Sequence, residues 1–94
     1  MGHAMLYNPR LELGLLISFD LTEMPNLTEW KMMGEGSYVL GLEPCNCRTL
    51  GRAVERERGA LREILPGEVK TTKVVFTVLD GAASAKDAMQ KFNR

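Results

Sequence analysis

The sequence predicts a mainly β domain, an antiparallel β-sandwich with a short C-terminal helix. Three observations carry that prediction. From Leu11 to Asp20 the apolar residues fall at every second position, with Leu11, Leu13, Leu15, Ile17 and Phe19 on one face, the period of a strand with one buried side. Around Gly34-Glu35-Gly36 two short alternating runs meet at flexible residues, the signature of a hairpin. Val69 to Leu79 is dense in β-branched residues, which suit a pleated sheet.

Each element follows in chain order. Met1 to Met5 carries a second methionine and looks like a start codon plus cloning remnant, so the β-rich domain is counted from residue 6 to 80. Leu16 interrupts the polar face of the first strand, which implies partial cover on that side too. Leu21 to Asn26, with Thr22, Pro25 and Asn26, is a loop. Thr28 to Met33 and Ser37 to Glu43 form the two arms of the hairpin. A turn centred on Glu35 sets Ser37 opposite Met33 and Lys31 opposite Val39, which leaves Trp30 near Leu40 on the face opposite Glu43. A bulge at Gly34 or Gly36 shifts the pairing by one residue and reverses that placement. Gly51, Gly59 and Pro66-Gly67 divide the middle into short segments, of which Arg52 to Arg58 and Ala60 to Leu65 fit a short strand or a helical turn equally. Ser84 to Asp87 has the outline of a capping box, and Ala85, Ala88, Met89 and Phe92 recur at helical spacing. Residues 81–94 are therefore a helical or flexible tail.

Composition narrows the function classes. The chain has 94 residues, enough for one domain. Twelve Lys and Arg balance twelve Asp and Glu, which leaves no net positive charge to neutralise phosphates, so nucleic acid is not an expected partner. The longest apolar runs fall far short of the roughly 20 residues needed to cross a bilayer, so no membrane span is expected either. Cys45 and Cys47 are too close for an unstrained bridge, which points to a reducing cytoplasm. Two thiols make half a zinc site, and the one histidine, His3, lies near the start, so neither metal nor cofactor is expected.

Three residues stand out as site candidates. Glu43 closes an apolar strand just before Pro44, and burial there would raise its carboxyl toward the range useful to a general base; a solvated strand end bonded to a neighbouring loop is the competing reading. Trp30 fits either a stacking platform or a core position beside Met32. Asn46 could bond a hydroxyl or cap a turn. Arg52, Arg56 and Arg58 interleave with Glu55 and Glu57 as a solvated, mutually paired face.

Pro25-Asn26-Leu27 with Trp30, then Tyr38-Val39-Leu40-Gly41-Leu42-Glu43-Pro44, then Gly51-Arg52 and Leu65-Pro66-Gly67-Glu68, occur in an order that resembles the galactose mutarotase-like, or aldose 1-epimerase-like, sugar-active family. The likeness spans about Leu11 to Leu79, and it is nearest an uncharacterised epimerase-like branch. It implies a β-supersandwich of which this chain is a C-terminal part. It also implies Glu43 as general base on the anomeric hydroxyl of a monosaccharide or sugar derivative; Trp30 and Asn46 are binding candidates on their own chemistry, and the resemblance assigns them no role. The histidine that would protonate the ring oxygen has no counterpart beyond His3, and Cys45 stands where the family has a small residue. The chain alone is therefore expected to bind sugar without epimerising it. The alternative is a non-catalytic β module for sugar or protein binding. A partial sandwich leaves strand edges and an apolar face uncovered, so a homo-oligomer is expected.

Overall fold

The computed structural model describes residues 1–92 of the chain, with five strands and two helices among them. In order these are β1 (Gly2–Asn8), β2 (Leu13–Phe19), β3 (Asn26–Gly34), β4 (Ser37–Cys45), α1 (Arg52–Glu57), β5 (Val74–Asp80) and α2 (Ala82–Phe92). The class is mainly β, with antiparallel strands in two sheets and a short C-terminal helix, as the sequence predicts. By contacts the chain divides into two compact units, one built from Met1–Phe19 with the segment from Lys73 on, the other from Asp20–Thr72.

The first unit is a three-stranded antiparallel sheet in the order β1-β2-β5. Its leading strand starts at Gly2, four residues before the start counted from sequence. The Gly2 to Asn8 run has no strong alternation of its own and gains its strand conformation from pairing, Gly2 opposite Phe19 through Asn8 opposite Leu13. Asn8 also shapes the turn that follows, because its Oδ1 accepts the Arg10 amide at 3.0 Å and the Leu11 amide at 3.3 Å. Leu11 thereby falls in the turn, outside the strand.

The alternation of β2 holds, but burial does not follow it as expected. Helix α2 packs on the face that carries Leu16, where Leu16, Leu79 and Ala88 form the buried cluster with Met5 against it. Ala85 is fully buried and Ala88 nearly so; these short side chains at i, i+3 spacing let the helix approach the sheet closely. On the other face Ile17 and Phe19 are buried, whereas Leu6, Leu13, Phe76 and Val78 stay exposed. Helix α2 begins at Ala82, directly after Gly81 at φ 93°, so Ser84 lies within the helix and does not cap it. Its expected tail extends to residue 94, of which residues 93 and 94 lie outside the described residues.

Strand β5 starts at Val74, five residues later than the β-branched run suggests, because Phe19 opposite Val74 is the last pair that β2 offers. Residues 69–73 have no ladder partner and lie outside any strand.

The second unit is built on the β3-β4 hairpin. Its turn is a two-residue connection, Glu35-Gly36, with Gly34 opposite Ser37. Gly36 adopts φ 77°, which a side chain disfavours and glycine accepts. This register differs by one residue from the pairing centred on Glu35, and Trp30 consequently lies opposite Gly41 and Thr28 opposite Glu43. After β4, α1 is one of the two conformations its sequence allowed. The expectation of a wholly solvated charged face fails at Glu55, which is 2% exposed and takes Arg58 Nη1 at 3.1 Å.

Candidate functional site

Residues directly opposite in an antiparallel pair point to the same side of the sheet, and every second residue along a strand joins them. On one face of the hairpin this brings together Thr28, Trp30 and Met32 from β3 with Val39, Gly41 and Glu43 from β4. Of the two placements open to Trp30, the structure has the exposed one and not the core. Trp30 is 49% exposed, and it shares its face with Glu43 because the two-residue turn moves the pairing by one.

The side chains confirm that the two approach one spot. A Cβ built on Gly41 would lie 3.7 Å from the Glu43 carboxyl carbon, 3.7 Å from Trp30 Cβ and 3.7 Å from Trp30 Cε3. Glycine at this position leaves a notch with the indole on one side and the carboxylate on the other. Met32 and Val39, both exposed, continue the apolar strip past Trp30. At the other end Thr28 Oγ1 lies 3.4 Å from Cys45 Sγ, and the same thiol donates to the Cys47 carbonyl at 3.1 Å. Cys45 thereby ties the end of β4 to β3 and to the loop that follows.

Such a face can do two things at once. The indole offers a flat, polarisable surface to apolar C–H groups, and the carboxylate beside it accepts hydrogen bonds from hydroxyls. Glu43 is exposed, so the desolvated carboxyl considered from the sequence is not what the strand provides. It is a solvated acceptor at the rim of an apolar strip. Among the described residues no group of three or more His, Cys, Asp or Glu side chains is arranged to hold a metal ion.

Asn46 stands apart from this face. It lines a groove of about 380 Å³ with Thr22, Glu23, Arg62, Lys70, Thr71 and Thr72, and neither Trp30 nor Glu43 contributes to that groove. His3 belongs to the first unit, where its Nδ1 lies 2.8 Å from Ser18 Oγ and its ring stacks on Phe92 with centroids 3.9 Å apart. Gly41 and Thr28 also belong to the Trp30 face, and neither stands out in the sequence. Their signal exists only through the register, since each becomes a neighbour of the site by standing opposite Trp30 or Glu43.

A family model described as Domain of unknown function (DUF4432) matches residues 1–78. The chain belongs to the DUF4432 family. The DUF4432 match takes in residues 1–5, which the sequence analysis set aside, together with the whole β3-β4 hairpin and most of β5. No curated protein and no solved structure matches the chain. No helix among the described residues of this DUF4432 domain is long and apolar enough to cross a membrane.

Proposed function

We propose that this chain is a carbohydrate-binding β module of the galactose mutarotase-like kind, and that it binds a monosaccharide or sugar derivative on the Trp30-Gly41-Glu43 face. The observation that carries the reading is the shared notch at Gly41, where indole and carboxylate meet on one side of the hairpin. A pyranose has the complementary pattern: an apolar C–H face to lie on Trp30 and equatorial hydroxyls to donate to Glu43. Within the epimerase-like resemblance Glu43 is the general base, and anomer interconversion also needs an acid partner for the ring oxygen. The sole histidine of the chain is engaged with Ser18 and Phe92. The chain by itself therefore binds without catalysing.

Two further parts of the reading rest on surfaces and thiols. The open face formed by Leu6, Leu13, Phe76 and Val78 supports association with a second copy. The two free cysteines suit a reducing cytoplasm.

Tryptophan fluorescence tests the binding directly, because Trp30 is the one tryptophan of the chain. Titration with galactose, glucose and mannose is expected to give a saturable change with at least one sugar, abolished by Glu43→Gln. Polarimetry of freshly dissolved sugar is expected to show the same mutarotation rate with and without the protein. A flat fluorescence response to all three sugars overturns the binding assignment. An accelerated mutarotation lost in Glu43→Gln overturns the non-catalytic one.

A further inference from the structure

The groove beside Asn46 has a composition unlike the rest of this electroneutral chain. Its seven lining residues are all of polar type and all exposed, two of them cations, Arg62 and Lys70, against the single carboxylate of Glu23, although the carbon of these side chains makes up most of the groove wall. One of the two cations is anchored. Arg62 Nη1 donates to the Glu23 carbonyl at 3.0 Å, which positions the guanidinium while leaving most of its five N–H donors for another acceptor. The neighbouring turn is fixed as well, with the Thr22 amide donating to Asp20 Oδ1 at 2.8 Å and the Met24 amide to the Asp20 carbonyl at 2.8 Å.

Thr71 and Thr72 arrive on the segment at residues 69–73, a β-branched run that lies outside any strand. Its backbone N–H groups are not consumed by a sheet ladder, and its hydroxyls add donors next to Lys70. The residues that border the groove thus carry a planar guanidinium, a point cation and several hydroxyl or amide groups, set on walls formed largely by their carbon. That set matches a tetrahedral oxyanion better than it matches a neutral ligand. At about 380 Å³ the space is larger than a bare phosphate needs and lies at the low end of small-molecule sites. Glu23 and the Asn46 carboxamide supply acceptors for hydroxyls on whatever carries the anion.

From this arrangement we infer that the Arg62-Lys70 groove is an anion site for the phosphate of a small hydroxylated phosphate monoester, separate from the Trp30 face. No bond is made or broken there; Arg62 and Lys70 hold the dianion, and Asn46 and the threonines orient it.

Calorimetric titration with inorganic phosphate, glucose 6-phosphate and glucuronate tests the assignment. Saturable binding is expected for phosphate in the millimolar range, with glucose 6-phosphate tighter and glucuronate weaker than either. Arg62→Gln and Lys70→Gln are each expected to weaken phosphate binding about tenfold, the scale of a lost charge-assisted hydrogen bond. Trp30→Ala is expected to leave phosphate affinity unchanged, so that failure of the sugar face and failure of this groove are read separately. Because Arg62 also bonds the Glu23 carbonyl, Lys70→Gln serves as the test if Arg62→Gln does not fold. Absence of saturable phosphate binding, tighter binding of glucuronate than of glucose 6-phosphate, or unchanged affinity in a folded Lys70→Gln variant overturns the proposal.

Discussion

Replacing Gly41 by alanine separates the stability of the hairpin from its proposed use, because the two should move in opposite directions. Gly41 sits within β4 at an ordinary strand conformation, and the added methyl would meet Trp30 and Glu43 at 3.7 Å, an unstrained contact distance. Alanine in a strand interior avoids the backbone entropy loss of glycine, which is worth about 0.5–1 kcal/mol. For a domain of this size that corresponds to a rise of about 2–8 °C in Tm. The same methyl occupies the notch between indole and carboxylate. One methyl group's worth of misfit at a binding surface costs about tenfold in affinity, at the lower end of the known range. Thermal unfolding followed by circular dichroism reads the first effect, and sugar titration of tryptophan fluorescence reads the second. A lowered Tm refutes the geometry at Gly41. A raised Tm with undiminished sugar binding refutes the site.

Gly14→Ala is the same substitution with the opposite expected sign: its Cβ would lie 3.1 Å from the Leu6 carbonyl oxygen and 3.2 Å from Tyr7 Cδ1, and urea unfolding should show a loss of about 1–2 kcal/mol from overpacking against a paired backbone. The Asp20 carboxyl is held below its ordinary value of 3.8 first by the Thr22 amide. A depressed folded pKa contributes stability above the unfolded value and loses it as pH falls through the folded one, so the Thr22 amide resonance should titrate with a midpoint below 3.8, and a midpoint at or above that value contradicts the bond. The exposed Leu6, Leu13, Phe76 and Val78 face leads us to expect self-association, which sedimentation equilibrium tests; a monomer of 10.5 kDa across a wide concentration range contradicts it.

Local patterns in the sequence located most strands, and the failures share one physical origin in pairing between distant segments. The β2 and β3-β4 runs show their period because side chains alternate whatever the partner is. Strand β1 was invisible for the opposite reason, since Gly2 to Asn8 becomes a strand by pairing with β2, a long-range event that composition does not announce. The start of β5 was misplaced because β-branched residues favour extended backbone, while the length of β2 decides where a ladder can exist. Helix α2 covers Leu16 through two alanines, and alanine carries too little hydrophobic signal to show which sheet face it will bury.

The hairpin shows how the company a side chain keeps depends on a single residue of register. Trp30 and Glu43 were both legible as unusual residues, but their relation was not. A turn centred on Glu35 puts them on opposite faces, whereas the two-residue Glu35-Gly36 turn puts them on one. The choice between those turns rests on Gly36 accepting φ 77°, and either glycine of Gly34-Glu35-Gly36 could have done so. The Arg62-Lys70 groove left no mark in the sequence, because its residues come from the Asp20 turn, the end of β4 and the segments around residues 62 and 70–72.

The most direct test of the central claim is the amide and indole proton-nitrogen spectrum of the labelled chain during sugar titration. The Trp30 indole N–H gives one unambiguous signal, since the chain has one tryptophan, and the Gly41 amide reports the floor of the notch. Both signals are expected to shift together with a common saturation curve, and Glu43→Gln is expected to remove both shifts while the rest of the spectrum remains folded. Shifts that spare Trp30 and Gly41, or that persist in Glu43→Gln, contradict that claim.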